Sequence, residues 1–471
     1  MKKKPSKPRV GQGKSGTGAQ GINPKVHPDA AGIDIGSEEF VSAIPVGRDP
    51  SGSVKTFRTF TSGVEALRDW LLAYGVNTVA LESTGNYWIT AYDMLEAAGI
   101  EVYLVNARHV KGVPGKKTDV CDAQWLQQLH AAGLLRKSHR PAQAVLPLRY
   151  LMRHRSSLVE ESSRCVQRMQ KVLTELNLKI QHVFSDIDGQ SAQAIISAIL
   201  AGERDPQKLA GLRDRRCRSS EADIIEALKG SYRPEYLNVL GQLQKQWQFL
   251  QAQIAENDRG IETAARAVTA IIEPEIVASA SSEEQSGAKK GTRKKTNKNS
   301  IGPVMRELGK SYYGVDLCEI PGVGDSVIAT LMSELGPRKE VLRNFRSSGA
   351  FCSWLALCPD NRISGGRVLK AKTRKVSNRV AGALRLGVWT LERSDHAMGH
   401  YTRRMKARLG KAEGITASAH KLGRIIYGML ESQAPYDEKT AFQTSASSSA
   451  RRIKSLQKQA KSLGFQLVAA Q

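Results

Sequence analysis

The sequence predicts an α/β domain followed by an all-α remainder: an N-terminal mixed sheet, a helical coiled-coil middle and a helical C-terminal domain. Three observations predict it. Short apolar strands and helices alternate between Ala30 and Leu135. No strand pattern occurs from Leu146 to Val268. Helical periodicity resumes after a polar, basic stretch near residues 280–300.

Taken in order, "AGIDIGSEEFVSAIPV" reads as a strand with a polar tip, and "SVKTFRTF" alternates as a further strand. "VEALRDWLLAYG" carries apolar residues at helical spacing and ends in a glycine stop. "NTVALES" is a short buried-type strand, "YWITAYDMLEAAG" a helix and "IEVYLVNA" another strand. The domain closes with "KTDVCDAQWLQQLHAAGLL", a helix that Thr118 can cap.

In the middle, Leu240, Leu243, Trp247, Leu250, Ile254 and Ile261 fall at three- and four-residue steps. That seam suits a coiled coil between chains or an antiparallel helical hairpin within one, and the assembly reading is favoured. The expected organisation is a disordered basic arm over 1–28, the α/β domain over 29–145 and a helical assembly domain over 146–275. A flexible basic linker over 276–300, a C-terminal domain over 301–431 and a basic polar tail over 432–471 follow.

Bulk composition narrows the function. The 471 residues carry a formal net charge of +25, which calls for a polyanionic partner, most commonly nucleic acid. Charge alone does not separate an enzyme from a coat. No apolar run approaches the length of a membrane span, and no apolar segment of a secretory signal follows the basic N-terminus. The cysteines are scattered without CxxC or metal-ligand spacing, as expected of a reduced cytosolic protein.

Four acids stand where the pattern expects otherwise. Asp34 sits between Ile33 and Ile35 in the first strand, and Glu82 ends the apolar strand "VALES". Asp119 and Asp122, three apart on a helix, share one face. Carboxylates at two strand ends and on one helix face can converge on one or two Mg2+ ions, leaving positions for phosphate oxygens and water. Singly, each has an ordinary reading as a turn residue or as first-turn charge.

Two later segments point to phosphate. "IPGVGDSVIATLMSELG" looks like a helix-hairpin-helix in which the backbone near Gly322 and Gly324 can bind a phosphate, or form a purely structural corner. In "PDNRISGGRVLKAKTRKVSNR", Ser364 precedes Gly365 and Gly366 among Arg362, Arg367, Lys370, Lys372, Arg374 and Lys375, and no acid follows Asp360. Locally this is an anion-binding turn; the same basic field would also activate Ser364 as a nucleophile on phosphorus. His396 and His400, four apart, fit an exposed helix better than a metal site, and Trp88, Trp125, Trp354 and Trp389 are expected to anchor cores.

"GIDIGSEEF", "ALESTGNYW" and "KTDVCDAQWLQQL" resemble the RuvC-like domain of the DEDD transposases of the IS110 insertion-sequence family. "IPGVGDSVIATLMSELG" and "LALCPDNRISGGR" resemble that family's C-terminal transposase domain, in the same order. The linker and the extended termini are less typical. The resemblance implies an RNase H-like fold, Mg2+ held by Asp34, Glu82, Asp119 and Asp122, and Ser364 as covalent nucleophile in a site divided between domains or subunits. It further implies a homo-oligomer, dimer or tetramer, acting on element-end and target DNA under a structured guide RNA, in the nucleoid-associated cytoplasm of a bacterium or archaeon. The expected function is thus a DNA transposase or recombinase. A metal-dependent nuclease using water and a non-catalytic nucleic-acid scaffold remain as alternatives.

Overall fold

The computed structural model describes residues 26–83, 85–106, 119–277 and 300–442, with parts of 454–466. The basic arm before residue 26, nearly all of the linker, most of the tail and the Thr118 cap fall outside the described residues. The chain divides into two compact units, Met1–His139 and Arg140–Gln471. The division lies earlier than the expected boundary after residue 145. A single turn of 3-10 helix, Gln143–Val145, leads directly into the next long helix, and Val145 is buried in the second unit's core.

The first unit runs β1 (Ala30–Ile35), β2 (Glu39–Ala43), β3 (Val54–Arg58), α1 (Thr61–Ala73), β4 (Thr78–Glu82), α2 (Trp88–Ala97), β5 (Glu101–Val105) and α3 (Asp119–Ala131). Its sheet order is β3-β2-β1-β4-β5. The short connections between β1, β2 and β3 give antiparallel pairs. The helical crossovers α1 and α2 give parallel pairing of β1 with β4 and of β4 with β5. This mixed sheet is the RNase H-like arrangement expected. Ile33, Ile35, Val79 and Leu81 form one core with Val64, Leu67 and Leu71 of α1 and Leu95 of α2. The other face receives α3.

The second unit begins with α4 (Leu146–Glu175), four short helices α5 (Ile180–Val183), α6 (Gln190–Leu200), α7 (Pro206–Ala210) and α8 (Glu221–Ala227), and the long α9 (Pro234–Val277). α4 and α9 pack along one another, tied by Arg155, whose guanidinium donates to both oxygens of Asp258 at 2.5 and 3.1 Å. The heptad seam is used inside the chain. Leu240 and Leu243 join a core with Met169, Leu173 and Ile195; Leu250 packs with Leu158 and Cys165; Ile261 packs with Leu148 and Met152. The expectation that this seam forms a coiled coil between chains is therefore corrected for these residues. α4 offers a complementary apolar stripe at the same period, and it is the nearer partner.

The remainder comprises α10 (Val304–Tyr313), α11 (Asp325–Leu335), α12 (Arg338–Asn344), α13 (Ser348–Trp354), β6 (Pro359–Ser364), β7 (Arg367–Thr373), α14 (Arg379–Trp389), α15 (Ala397–Leu409), α16 (Lys411–Ser432) and α17 (Glu438–Phe442). α16 is its central helix: Ile415, Ala419, Leu422, Ile426 and Leu430 form a buried stripe. The ends of α4 and α9 enter the same core through Leu148, Met152, Ile261 and Val268. The expected separate middle domain is thus continuous at one end with the C-terminal domain. A two-stranded sheet, β6–β7, interrupts a region expected to be helical or loop. A glycine pair between two runs of alternating residues is a hairpin signal, and the density of charge obscured it.

Candidate active site

β1 and β4 bring two acids to one edge. The parallel register sets Ile33 opposite Leu81, so the next position on each strand is Asp34 and Glu82. Paired residues of neighbouring strands point to the same face of a sheet, and here both stand at carboxyl ends. Both side chains are half-buried, and an Asp34 carboxylate oxygen accepts from the backbone N–H of Ile35 at 3.0 Å.

α3 covers that face and runs against the direction of β1. His130 near its C-terminus meets Thr78 Oγ1 through Nε2 at 2.8 Å, at the start of β4. Gln127 Nε2 donates to the Ala30 carbonyl at 3.1 Å, at the start of β1. A turn earlier, the backbone of Ala123 lies over Gly32: a Cβ added there would stand 2.4 Å from the Ala123 carbonyl and 2.3 Å from the Gln127 nitrogen. The progression carries the first turn of α3, with Asp119 and the exposed Asp122, toward the ends of β1 and β4 where Asp34 and Glu82 stand. The Asp119 side chain lies outside the described residues. The positive end of the α3 dipole therefore faces the acidic edge, which favours anionic ligands there.

Among the described residues, no group of three or more His, Cys, Asp or Glu side chains converges as a metal site. The two acids that the strand register sets side by side, Asp34 and Glu82, are carboxylates, as is the exposed Asp122 of α3. Oxygen donors of this kind suit a hard divalent cation better than zinc, which favours sulfur and nitrogen. At the opposite end of α3, His130 is buried beside His27 and the Tyr103 ring, at 5.0 and 4.5 Å between centroids. Burial, reinforced by the His27 and Lys137 charges, pushes its imidazole down to about 4. It is thus a neutral hydrogen-bonding anchor for α3 at neutral pH.

In the second unit, Ser364 ends β6 and pairs with Arg367 across a two-residue turn. Gly365 and Gly366 have φ of 54° and 74°. Two successive left-handed residues make the type I′ turn that joins tightly twisted strands. Ser364 and Arg367 are both exposed. Arg362 pairs with Lys370 farther from the turn; their side chains lie outside the described residues. Lys372 and Lys375 are exposed. Arg374, also exposed, donates to the Ser353 carbonyl and, at 3.3 Å, to the Ser353 hydroxyl, pinning the base of the hairpin to the end of α13. The basic run in the sequence points Arg374 toward phosphate alone. A lone Arg beyond a strand carries no signal for such an anchor.

The glycine-rich turn before α11 has two unlike glycines. Gly322 has φ of 90°, and its carbonyl would lie 2.2 Å from a Cβ on Gly387. These two glycines let the turn rest on the backbone of α14. Gly322 thus has a packing role, in line with the structural corner left open from the sequence. Gly324 is exposed, with open space beside it. Asp325 already places a carboxylate at the α11 N-terminus, where it accepts from Ser326 N at 2.9 Å, Gly302 N at 3.2 Å and the Ser300 hydroxyl. The preceding element is one 3-10 turn, Leu317–Glu319, rather than a full helix. His396 precedes α15, and His400 Nδ1 meets Arg403 at 2.9 Å, the exposed-helix arrangement expected. Trp389, expected in a core, is half-exposed under the Lys411 ammonium.

Comparison with protein families accounts for both regions. A DEDD model of the IS110 type, described as Transposase, matches residues 31–178, from β1 through the four acids into α4. A second, described as Transposase IS116/IS110/IS902 family, matches residues 316–403, from the glycine-rich turn through the Ser364 hairpin into α15. Comparison with curated proteins gives no match. The DEDD match suggests a divalent-metal requirement. Among the described residues, no helix is long and apolar enough to cross a membrane. With both matches in the order the motifs occupy, the chain belongs to the IS110 family of insertion-sequence transposases, enzymes that bind, cut and rejoin DNA.

Proposed function

We propose that the enzyme cuts DNA by attack of Ser364 Oγ on a backbone phosphorus. The Oγ–P bond forms, the bond from phosphorus to the departing sugar oxygen breaks, the serine proton passes to solvent, and the departing oxygen takes a proton. Rejoining reverses this: a strand hydroxyl attacks the phosphoserine and the serine hydroxyl is restored. The ester exchange conserves bond energy, so no nucleotide cofactor is required. The observation that carries the reading is the position of Ser364, exposed at the tip of a tight hairpin and paired with the exposed Arg367. The guanidinium and its basic neighbours offset the charge that grows on phosphorus.

Asp34, Glu82, Asp119 and Asp122 are the residues we assign to holding Mg2+. Mg2+ bound there supplies positive charge to phosphate oxygens and lowers the pKa of a coordinated hydroxyl or water. The carboxylates themselves fix its position, and the positive end of α3 adds to the field on the phosphate. Phosphate contacts are assigned to Gly322 and Gly324 through the backbone of their turn, to Gly365 and Gly366, and to Arg362, Arg367, Lys370, Lys372, Arg374 and Lys375. For Gly322 and Arg374 this comes in addition to their packing roles.

We further infer a structured guide RNA, a dimer or tetramer, and action on DNA in the nucleoid-associated cytoplasm. The charge of +25 and the family motifs support the polyanionic partners. Since the heptad seam is used within the chain, assembly requires other surfaces. Denaturing electrophoresis of the protein with element-end DNA tests the central claim. A covalent protein–DNA band present in the wild type and absent in Ser364→Ala supports it. Cleavage by Ser364→Ala at the wild-type rate, with no such band, would transfer the chemistry to water and the acidic edge, the reading that the adjacent Asp34 and Glu82 favour on their own.

A further inference from the structure

The face of the hairpin opposite Ser364 is apolar and open. Ile363 is 62% exposed, Val368 56% and Leu369 70%. Ile363 pairs with Val368 one position behind the Ser364–Arg367 pair. The register then shifts, leaving Leu369 as the extra residue of a bulge between Val368 and the Arg362–Lys370 pair. An extra residue in one strand bends that strand and sharpens the local twist. Two aliphatic side chains therefore pair one residue from the tip, and a third, that of Leu369, stands exposed beside them in the chain.

Nothing in the hairpin's own folding calls for them. β6 and β7 form a sheet of two strands, and every residue from 359 to 372 whose exposure is described is exposed. An isolated hairpin without a covered face is marginal in water, and aliphatic residues at its tip add no core. The same element carries the exposed Arg367, Lys372, Arg374 and Lys375. Its partner must therefore present dense negative charge and an apolar surface close together, to meet the two faces of one pair of strands. Duplex DNA does so: stacked bases lie behind the sugar-phosphate backbone, and apolar side chains enter between base steps in many DNA-bending proteins.

We propose that Ile363, Val368 and Leu369 form a wedge that enters a DNA duplex and unstacks a base step beside the phosphate attacked by Ser364. The proposal rests on the serine reading for the identity of that phosphate, and on the basic, apolar hairpin alone for the unstacking. Opening the step loosens the backbone there, which lets the scissile phosphate turn in line with an attacking oxygen. The tight turn couples the two actions, because the apolar and nucleophilic faces lie on the same pair of strands.

The test uses full-length protein, element-end duplexes carrying 2-aminopurine at successive positions, and RNA transcribed from the element's flank. Wild type and Ser364→Ala should each raise the fluorescence severalfold at one step, and Val368→Ser/Leu369→Ser should abolish the rise. That double variant should form the covalent adduct about tenfold or more slowly on intact duplex. A short mismatch bubble at the same step should restore its rate to near wild type. A persistent rise in the double variant, no rise in wild type, or a defect that the bubble leaves unchanged would overturn the wedge. Loss of binding to anionic vesicles or to an acidic protein, with the DNA signals intact, would reassign the face to that partner. A rise that depends on Val368 and Leu369, with no adduct in any protein, would retain the wedge and remove the serine reading.

Discussion

Asp34 and Glu82 occupy matching positions on adjacent parallel strands, one residue beyond the Ile33–Leu81 pair. The relationship makes them a unit, because a parallel register holds both carboxylates on one face whatever the flanking loops do. Asp34→Asn and Glu82→Gln keep the size of each side chain and remove its charge. Each should lower DNA cutting by about a hundredfold or more while leaving the melting temperature near wild type. Adduct yield and thermal unfolding, measured on the same preparations, check this. Retained cutting in both variants would disconnect the acidic edge from the chemistry.

Gly32 explains how α3 reaches that edge. A methyl group there would meet the Ala123 carbonyl and the Gln127 nitrogen, both backbone atoms that cannot swing aside. Gly32→Ala should destabilise the first unit by about 1–3 kcal/mol through overpacking. It should also lower cutting by more than the loss of folded protein explains, since α3 carries Asp119 and Asp122. Urea unfolding followed by Trp70, whose ring is buried in this unit, reports the first effect.

How much of this was legible in the sequence depends on the range of the interaction. The mixed sheet followed from local periodicity and connection lengths, and the acids stood out because each interrupts an apolar strand or shares a helix face. Gly32 gave no such signal, since a glycine in a strand does not name the helix that will cross it. The heptad residues of α9 announced a helical seam but not its partner; spacing is the same whether the second helix belongs to this chain or to another. The Ser364 hairpin was hidden for a different reason. Its strands bury nothing, so the alternation that marks a strand carried charge in place of core residues, and only the glycine pair disclosed the turn.

His130 links the first unit's stability to pH. Its imidazole is pushed down to about 4 in the folded protein from an ordinary value of 6.5. The folded state therefore binds fewer protons than the unfolded chain between these values. The stabilisation is complete above 6.5, declines as pH falls through that window, and is gone below about 4. Its full size is on the order of 3 kcal/mol. His130→Gln should flatten this part of the profile and cost some stability at pH 7.5 through the altered contact with Thr78. Urea midpoints taken between pH 7.5 and 4.5 for the two proteins give the comparison; parallel curves would exclude His130 as the source.

The turn at Gly365–Gly366 separates geometry from chemistry at Ser364. Both residues hold left-handed backbone, with open space where a side chain would stand. Conformation is therefore the constraint, and volume is not. Asn tolerates this region and Asn-Gly is a preferred pair for the type I′ turn, so Gly365→Asn should retain most of the adduct yield. Gly366→Val should strain the turn by about 1–2 kcal/mol and displace Ser364 from Arg367, with adduct yield falling tenfold or so. Because the hairpin contributes nothing to either core, both variants should melt with the wild type. Equal yields in Gly366→Val and wild type would show that the serine acts without the hairpin geometry.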